Sequence, residues 1–367
     1  MPTLPFFKLS EEGSHYAIGY GRGKLAASDP LYLQFLTTSP AGTAPLSDGE
    51  AERRLCLLEQ CCPGMRDELR GLADALGVPP QQLAQLSLGV NQPARGCSLL
   101  AVAPARTVNG RPLLARSYEY DTQDELIYSV TRVPGCYAHA GFSLFQAGRM
   151  DGMNEKGLCV AIASCQCVHP AAGEGEGVAF WVAVRRLLDT CASVREGLQT
   201  LLDLPLGDNT NYILMDAGGD CAIVETLSAG GKSTKAVRRG GEYLYALNHY
   251  LSAEHTARFP KRKRFSAVRQ EAIEHFFTAH DKVSLDDLKT LLSARLPDGL
   301  CCHAYSDCFG TLRSMLFDPA EGRLSVCLGS PASGVWFDAD LHAPAGCTTL
   351  SVPYTDEPAP PDYWQEI

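Results

Sequence analysis

Hydrophobic and polar residues follow a helical pattern through the first quarter of the chain. Between residues 11 and 88 the apolar positions recur at helical spacing, most clearly in the series Leu55, Leu58, Met65, Leu69, Leu72 and Leu76. This period predicts amphipathic helices. The segment CCPG at 61–64 predicts a break between two of them, because proline and glycine interrupt helices.

The pattern changes to short apolar runs of β type near residue 97. The runs SLLAVAPA and RPLLARSY are joined by RTVNGR. An Asn-Gly pair between two apolar runs is the strongest short-range signal of a hairpin. Cys97 is therefore expected to open a hairpin rather than to lie in a helix.

Helices and strands then follow in blocks. A helix is predicted over residues 179–204, and a helical region spans about 260–294, with Ser284 as an N-cap. Strands are predicted at NYILMDA, CAIVETL and EYLYALNHYL, and a hairpin around DPAEG. Blocks without strict βαβ alternation predict an α+β fold with mostly antiparallel sheets. No repeat or linker divides the chain into two domains.

Composition and charge narrow the range of partners. The 367 residues are 45% hydrophobic and 20% charged, as in ordinary soluble proteins, and the net charge is −10. An acidic balance argues against nucleic acid as the partner, and the basic cluster at 258–265 is interpreted as a solvated helix start.

No apolar run is long enough for a membrane span, and the N-terminus lacks the features of a secretory signal. The expected location is cytoplasmic, without membrane attachment.

Fifteen cysteines need an explanation other than disulfide bonds, because the cytosol keeps thiols reduced. Most have apolar neighbours and are expected to be small buried side chains. Two groupings, CQCVH at 165–169 and CCHAYSDC at 301–308, lack the paired C-x-x-C spacing of zinc sites. No metal is expected.

The pair Gly96-Cys97 is the candidate for chemistry. A cysteine is a good nucleophile only as a thiolate, and no local Cys-His signature provides a base. An α-amino group, with a pKa near ~8, would be such a base if the bond between Gly96 and Cys97 were cut. The alternative is that Cys97 is one more buried strand cysteine, and this stretch alone favours that alternative.

Several short sequence segments, which occur in a particular order along the chain, favour the catalytic role of Cys97 over the structural one. They are RGCSLLAV, NGRPLLARSYEYD, GRMDGMNEKGLCVAIAS, DNTNYILMDAGGDCAIVE, YALNHYL and GTLRSMLFDP, of which GMNEKGL is the most specific. With them the chain resembles the N-terminal-nucleophile hydrolases of the acyl-coenzyme A:6-aminopenicillanic acid acyltransferase type, which are related to penicillin V acylases and choloylglycine hydrolases. The resemblance covers nearly the whole chain.

The resemblance implies a four-layer αββα sandwich and self-cleavage between Gly96 and Cys97. Residues 1–96 would be the released small chain, with a helical character, and residues 97–367 the nucleophile-bearing chain. The two self-cleaved chains would remain associated as one globular domain. The implied enzyme needs no metal or organic cofactor.

The resemblance also assigns catalytic roles. Cys97 is the nucleophile and its freed amine the general base, while Arg116 and Glu119 occupy a segment that in the family ends in Asp. Glu119 is expected to hold the α-amine, with Asp121 as the alternative. Asn248 aligns with the family asparagine that donates to the oxyanion.

Five further residues are expected to bind substrate or to shape its site. Ser164 lies where the bile salt hydrolases carry an asparagine, so a backbone N–H would replace that donor. The others are Tyr118, Asp121, Asn154 and Arg264.

The resulting hypothesis is a cysteine amidase that hydrolyses small linear N-acyl amides through an acyl-enzyme on Cys97. The first alternative is an acyltransferase that moves an acyl group from a thioester or an amide to an amine. An alternative of another class is an inactive cysteine-rich binding protein on the same scaffold.

Overall fold

Two β-sheets lie face to face at the centre of the molecule, and helices cover their outer faces. The computed structural model describes residues 1–37, 46–84, 96–124, 126–144, 147–165, 177–229 and 232–367. The end of the first predicted helical region and the predicted loop before Cys97 lie outside these residues.

The helices of the described residues are short to medium in length. They are α1 His15–Ala27, α2 Pro30–Thr37, α3 Asp48–Cys61, α4 Met65–Leu76, α5 Pro80–Ala84, α6 Phe180–Thr190, α7 Val194–Asp203, α8 Ala253–Arg258, α9 Arg264–Ala279 and α10 Leu285–Ser293.

The strands begin at the N-terminus and end near the C-terminus. They are β1 Thr3–Glu12, β2 Gly96–Val102, β3 Leu113–Tyr120, β4 Ile127–Arg132, β5 His139–Ser143, β6 Asp151–Asn154, β7 Cys159–Ser164, β8 Thr210–Met215, β9 Cys221–Ala229, β10 Lys232–Arg239, β11 Tyr243–Ala246, β12 His303–Ala304, β13 Phe309–Asp318, β14 Arg323–Leu328, β15 Trp336–Asp338 and β16 Gly346–Pro353.

Within the described residues the larger sheet has the order β10-β9-β8-β7-β6-β5-β4-β1-β16, and the smaller has β11-β2-β3-β13-β14-β15 with β12 paired to β13. The only parallel pair among these described strands is β1 with β4. The predicted predominance of antiparallel pairing is confirmed.

The packing order of the layers is helix, sheet, sheet, helix. Helices α6 and α7 contact the larger sheet, and α10 contacts β3 and β13 of the smaller one. Strands β2 and β11 contact β7, β8 and β9 across the space between the sheets. This arrangement confirms the predicted α+β class and its αββα layers.

Alternation along β2 assigns its side chains to two different cores. Leu99 and Ala101 belong to the core between the sheets, whereas Leu100 and Val102 pack with residues of α9 and α10. Successive side chains of a strand point to opposite faces. Cys97 therefore faces the second sheet, and its cluster confirms that placement.

Strand β1 joins the N-terminal segment to the rest of the larger sheet. It pairs in parallel with β4 on one side and antiparallel with β16 on the other. Neither β1 nor β16 was predicted, and the chain was expected to begin with helices at residue 11. The apolar residues of β1 do not alternate strictly, and most of β16 is exposed, so neither carries the periodic signal of a half-buried strand.

A buried ionic network also joins the N-terminal segment to the remainder. Arg22 of α1 donates to Glu11 at 2.7 Å and to Glu68 of α4 at 3.4 Å. Glu68 in turn pairs with Arg185 of α6 at 3.1 Å, and Arg185 with Asp189 at 2.8 Å. A chain of paired charges of this kind holds the two segments together, because opening it would leave buried charges without partners.

One further prediction for the elements was wrong, and one further strand was missed. Residues 179–204 form two helices rather than one, because the Ser193 side chain accepts a bond from the backbone of Glu196 and caps the second helix. Strand β10 was not predicted. Its sequence KSTKAVRR is largely polar, and it lies at the edge of the sheet, where burial imposes little pattern.

Strand β11 ends at Ala246, earlier than the strand predicted at EYLYALNHYL, but the following local signals are present as predicted. Strands β2 and β3 form the predicted hairpin, and Gly322, at a φ of +62°, turns the chain between β13 and β14. Helices α3 and α4 separate at the CCPG segment. Ser284 caps α10 in a reciprocal arrangement with Asp287. The turn and capping preferences of residues that are close in sequence were sufficient to predict these elements.

Candidate active site

The Cys97 side chain lies fully buried between the two sheets, near the start of β2. Its pairing partner on β3 is Tyr118, so the two side chains share one face of the sheet. In this continuous chain the nitrogen of Cys97 is a peptide N–H, which donates to Oδ1 of Asn248 at 3.0 Å. Two interactions thus fix the position of the peptide bond between Gly96 and Cys97: the pairing of β2 with β3, and the hydrogen bond to Asn248.

Gly96 has a steric reason to be glycine. A Cβ atom on this residue would lie 2.6 Å from the ring of Phe309 and 2.8 Å from the Cβ of Glu119. Bending of the backbone is not the reason, since the φ of Gly96 is outside the left-handed region. The glycine allows β2 to run close beside β3 and the Phe309 ring.

Asn248 follows β11 and is buried. Its Oδ1 accepts from Cys97 and also from Nη2 of Arg269, at 2.6 Å, while its Nδ2 donates to the backbone oxygen of Ser164 at 2.9 Å. Two donors on Oδ1 fix the orientation of the amide. The Nδ2 group therefore points to the end of β7 and has a second N–H for another acceptor.

Arg269 of α9 links Asn248 to Glu119, and it was missed by the sequence analysis. Its Nη1 donates to Oε2 of Glu119 and to Oγ of Ser98, each at 3.2 Å. It is fully buried, on the side of α9 that also carries Phe265, Ile273 and Phe276. An arginine on the apolar face of a helix was the available signal.

Glu119 lies on the opposite face of β3 from Tyr118 and opposite Gly96. It accepts from Arg269, from Thr311 at 3.5 Å and from the hydroxyl of Ser117. Burial raises the pKa of the Glu119 carboxyl, although the positive charge of Arg269 opposes the rise. In the uncut chain the nitrogen of Cys97 contacts Asn248 instead, so Glu119 is connected to it through Arg269 and Asn248.

Arg116 lies on the same face of the sheet as Cys97. Its Nε donates to Asp151 of β6 at 2.5 Å, and its Nη1 donates to the backbone oxygen of Ile162 at 2.9 Å. Burial disfavours its charge, but Asp151 and the Cys97 sulfur outweigh that cost and raise the pKa of Arg116. Arg116 therefore places a fixed positive charge beside the Cys97 sulfur.

Tyr118, expected to bind substrate, is completely buried between two arginines. The guanidinium of Arg313 lies 3.8 Å from its ring centre, and that of Arg116 lies 5.2 Å from it. The Tyr118 hydroxyl donates to Asp124 at 2.6 Å. Arg313 also contacts Asp151 at 3.4 Å, so two arginines share this one carboxylate.

The loop that carries Asn248 is held by Asn211 of β8, another residue that the sequence analysis missed. The Nδ2 of Asn211 donates to the backbone oxygens of Leu247 at 2.9 Å and His249 at 3.1 Å. These bonds flank Asn248 on both sides and fix its position. Within the loop, burial lowers the pKa of His249 to about 4, and its ring nitrogens contact Ser266 and Gln270.

Ser164 and Asn154 occupy different surroundings. Ser164 ends β7 and reaches the site through its backbone oxygen, which binds Asn248. The Asn154 side chain bonds only to backbone atoms: Nδ2 donates to Leu188 and Cys191, and Oδ1 accepts from Lys156 and Leu158. These contacts make Asn154 a turn residue, and they leave its predicted contact with substrate without support.

Asp121 and Arg264 are not brought to Cys97 in the described part of the chain. Asp121 follows β3, where it accepts from the backbone of Gln123 and from the thiol of Cys308. Arg264 begins α9 and pairs on the surface with Asp362 at 2.8 Å. Of the two carboxylates, only Glu119 has a hydrogen-bond connection to Cys97 in the described residues, through Arg269 and Asn248.

The two cysteine groupings give no metal centre among the described residues, in which no cluster of three or more His, Cys, Asp or Glu side chains is present. The Cys301 sulfur contacts Ser330, and Cys308 contacts Asp121. In the other grouping, residues 166–169 lie outside the described ranges.

No helix in the described ranges is long and apolar enough to cross a membrane.

A family model matches residues 106–333, which is more than half of the chain. Its description is acyl-coenzyme A:6-aminopenicillanic acid acyl-transferase. The match begins after Cys97, so it covers Arg116, Glu119, Asn248 and Arg269 but not the Gly96-Cys97 junction. No curated protein matches the sequence.

Several solved structures are similar to this chain. Penicillin V acylase from Agrobacterium tumefaciens is 16% identical, with a TM-score of 0.41 over 69% of this chain and 91% of its own. A mutant of the conjugated bile acid hydrolase from Clostridium perfringens is 14% identical, with a TM-score of 0.42 over 70% and 97%. The N-acylethanolamine-hydrolyzing acid amidase ortholog of Caenorhabditis elegans is 11% identical, with a TM-score of 0.44 over 61% and 93%.

Proposed function

We propose that this chain, which belongs to the acyl-coenzyme A:6-aminopenicillanic acid acyl-transferase family, is an autoproteolytically activated cysteine amidase. Its substrates are small linear N-acyl amides, and its reaction passes through an acyl-enzyme on Cys97. One observation carries the proposal: a buried Gly-Cys bond whose nitrogen is bound by Asn248, beside the Arg116 guanidinium.

Maturation begins with the Cys97 thiolate. The sulfur attacks the carbonyl carbon of Gly96, the bond from that carbon to the Cys97 nitrogen breaks, and the nitrogen takes up a proton. The resulting thioester is hydrolysed by water to the carboxylate of Gly96 and a free thiol. Cys97 then begins the second chain with a primary amine, which lies where its peptide N–H contacts Asn248.

Turnover uses that amine as the base. The amine takes the thiol proton, and the thiolate attacks the carbonyl carbon of the substrate amide. The second N–H of Asn248 Nδ2 donates to the oxyanion, and the ammonium of Cys97 returns its proton to the leaving amine. Water then hydrolyses the acyl-enzyme to the carboxylic acid.

The surrounding charges suit these steps. Arg116 places a positive charge beside the attacking sulfur, and Arg269 binds the same Asn248 oxygen as the Cys97 nitrogen, where its positive charge opposes protonation of the freed amine. Glu119 holds Arg269, and the burial of both side chains strengthens the interaction between them. Glu119 thus acts as a positioning residue.

Acyl transfer is the second candidate, and the description of the family favours it. The acyl-enzyme on Cys97 would be the same, but an amine rather than water would attack it, and a thioester would be a suitable acyl donor. The two reactions differ only in the acceptor that fits the site. An inactive cysteine-rich binding protein is the remaining alternative.

Intact-mass spectrometry with activity assays tests the proposal. The purified protein should consist of chains of 96 and 271 residues, and Cys97→Ala should be one uncut and inactive chain. Cys327→Ala, in another buried strand, is the matched control and should be cut normally. The cut enzyme should hydrolyse members of a panel of N-acyl amino acids, N-acyl amines and β-lactam side chains. Chelators should have no effect, and iodoacetamide should abolish activity by alkylating Cys97.

Three results would overturn the proposal. A full-length chain that is active would exclude a freed amine as the base. A cut protein that cleaves no amide of the panel, but transfers acyl groups from thioesters to amines, would support the acyltransferase instead. A cut or uncut protein without either activity would support the binding protein.

A further inference from the structure

A second cysteine lies in a polar setting well removed in sequence from Cys97. Cys136 is in the turn between β4 and β5, and it is partly exposed. Its sulfur is 3.9 Å from Nε2 of His15, the first residue of α1. The opposite ring nitrogen of His15 is 3.4 Å from Oε2 of Glu68. The three side chains therefore form a series of thiol, imidazole and carboxylate.

The carboxylate end of this series is rigid and charged. Glu68 is buried and pairs with Arg22 and Arg185, which place it within the ionic network described above. These charges keep the pKa of Glu68 well below its usual value in spite of its burial. A fixed anion at one nitrogen of His15 orients the ring, so that the other nitrogen faces the sulfur of Cys136.

The imidazole of His15 packs against Gly64 of the CCPG segment, where the absence of a side chain leaves space for the ring. A Cβ on Gly64 would lie 2.2 Å from the ring of His15, so a side chain at that position would displace it. The Cys136 sulfur and then Glu68 raise the pKa of His15 to about 9, against its burial and the charge of Arg185. The ring is thus a cation at neutral pH, beside the thiol of a partly exposed residue.

Among the described residues, the two fully exposed cysteines, Cys308 and Cys347, lack such a cation, whereas the partly exposed Cys56 lies 3.5 Å from the guanidinium of Arg66. Burial and then Asp121 raise the pKa of the Cys308 thiol, and burial and then Glu11 raise that of Cys347. Both residues are more exposed than Cys136. If exposure alone set the rate of reaction, Cys308 and Cys347 would react faster than Cys136. If the neighbouring cation sets the rate, Cys136 reacts fastest of the three thiols.

We propose that Cys136, with His15 and Glu68, is a modification site for peroxide, at which the thiolate is oxidised to a sulfenic acid. The sulfur attacks one oxygen of hydrogen peroxide, an S–O bond forms, and the O–O bond breaks. Sulfur is oxidised by two electrons, and peroxide is reduced. The leaving hydroxide takes the proton of the His15 imidazolium and departs as water, so charge and atoms balance. Glu68 holds the ring during this transfer.

Competitive labelling of the complete protein tests the order of reactivity. The protein is treated at pH 7 with limiting iodoacetamide, and the labelled cysteines are quantified by peptide mass spectrometry. Cys136 should react at least about tenfold faster than Cys308 and Cys347, because of these three sulfurs only that of Cys136 faces a cation, the imidazole of His15. With hydrogen peroxide followed by dimedone, the sulfenic acid adduct should form at Cys136 first.

Variants show whether His15 is the cause. His15→Gln should lower the labelling of Cys136 to the level of Cys308, and Cys136→Ser should remove the dimedone adduct. His275→Gln, at an exposed position of α9, is the matched control and should change nothing. Equal or slower labelling of Cys136 in the wild-type protein would overturn the proposal even if His15→Gln fails to fold. Undiminished labelling in a folded His15→Gln protein would also overturn it.

Discussion

The backbone N–H of Cys97 donates to the side-chain oxygen of Asn248 at 3.0 Å, across 151 positions of sequence. The same oxygen accepts from Arg269, which in turn binds Glu119. A residue that the family resemblance assigns to the oxyanion is thus also the acceptor for the nitrogen of the bond to be cut. This double role makes the predictions for the site more specific.

The two roles of Asn248 can be separated by its variants. Asn248→Asp keeps an acceptor for Cys97 and Arg269 but removes the N–H that would stabilise the oxyanion, whereas Asn248→Ala removes both. Both variants should lose turnover by about a hundredfold or more. Asn248→Asp should still be cut at the wild-type rate, and Asn248→Ala should be cut more slowly.

Intact mass over time measures cleavage, and initial rates on a cleaved N-acyl amide measure turnover. Asn109→Ala, in the exposed turn between β2 and β3, is the matched control. Wild-type turnover in Asn248→Asp would show that this amide makes no contribution to the oxyanion.

Glu119 and Arg269 should act as one unit. Glu119→Gln should impair activity, and Glu119→Asp should largely preserve it, because the charge that holds Arg269 remains. Arg269→Gln should have an effect similar to that of Glu119→Gln, and the double variant should lose little more than either. Breaking a buried ion pair should also cost roughly 3–5 kcal/mol of stability.

Steady-state kinetics and denaturant unfolding of the four proteins measure these effects. Asp121→Asn is the control, since Asp121 binds Cys308 and the backbone of Gln123 instead. Activity losses that multiply in the double variant, or a loss in Asp121→Asn larger than in Glu119→Gln, would contradict this arrangement.

Gly96→Ala should block or greatly slow self-cleavage. The added Cβ would lie within 2.6 Å of Phe309 and 2.8 Å of Glu119, which displaces the bond from the Cys97 sulfur. A smaller side chain in Gly96→Ala/Phe309→Leu should restore part of the cleavage. Gly21→Ala, with open space around its Cβ, is the control. Normal cleavage of the single variant, followed by intact mass, would show that this contact has no effect on the reaction.

The two chains should remain together after cleavage. Strand β1 lies between β4 and β16, and Glu11, Arg22 and Glu68 are joined through buried charges to Arg185. Size-exclusion chromatography of the cut protein should give one species that contains both chains, and they should separate only in denaturant. Release of residues 1–96 in native buffer would refute this prediction.

Acid should destabilise the protein through His249. Burial and the charge of Arg262 lower the pKa of this ring from 6.5 to about 4, so the unfolded chain binds more protons than the folded one between these values. Stability from this group is therefore complete above pH 6.5 and is lost as the pH falls toward 4, with a size of roughly 3 kcal/mol. The unfolding midpoint should depend less on pH in His249→Gln than in the wild type.

Thermal scans between pH 4 and 7 measure this effect. Asn109→Ala, in the exposed turn between β2 and β3, removes no titratable group and is the control, which should leave the pH dependence of unfolding unchanged. An equal slope in the wild type and His249→Gln would assign the acid sensitivity to other groups.

Local chemistry in the sequence determined the hairpins, the Ser284 cap, the helix break at CCPG and the position of Cys97 at the start of a strand. Each depends on residues that are close in sequence, so turn and capping preferences were sufficient. The helix over 179–204 failed for the same kind of reason, since a single Ser cap at position 193 outweighed a continuous apolar pattern. The family resemblance added Arg116, Glu119 and Asn248.

Only the tertiary structure decided how these residues meet. The alternation of β2 and β3 puts Cys97 and Arg116 between the sheets and Glu119 on the helix side, where Arg269 of α9 connects it to Asn248. Such contacts depend on strand register and on helix packing across positions far apart in the chain, and no local pattern contains that information. The face to which a side chain points was predictable, but its partner there was set by packing of the second sheet and of α9.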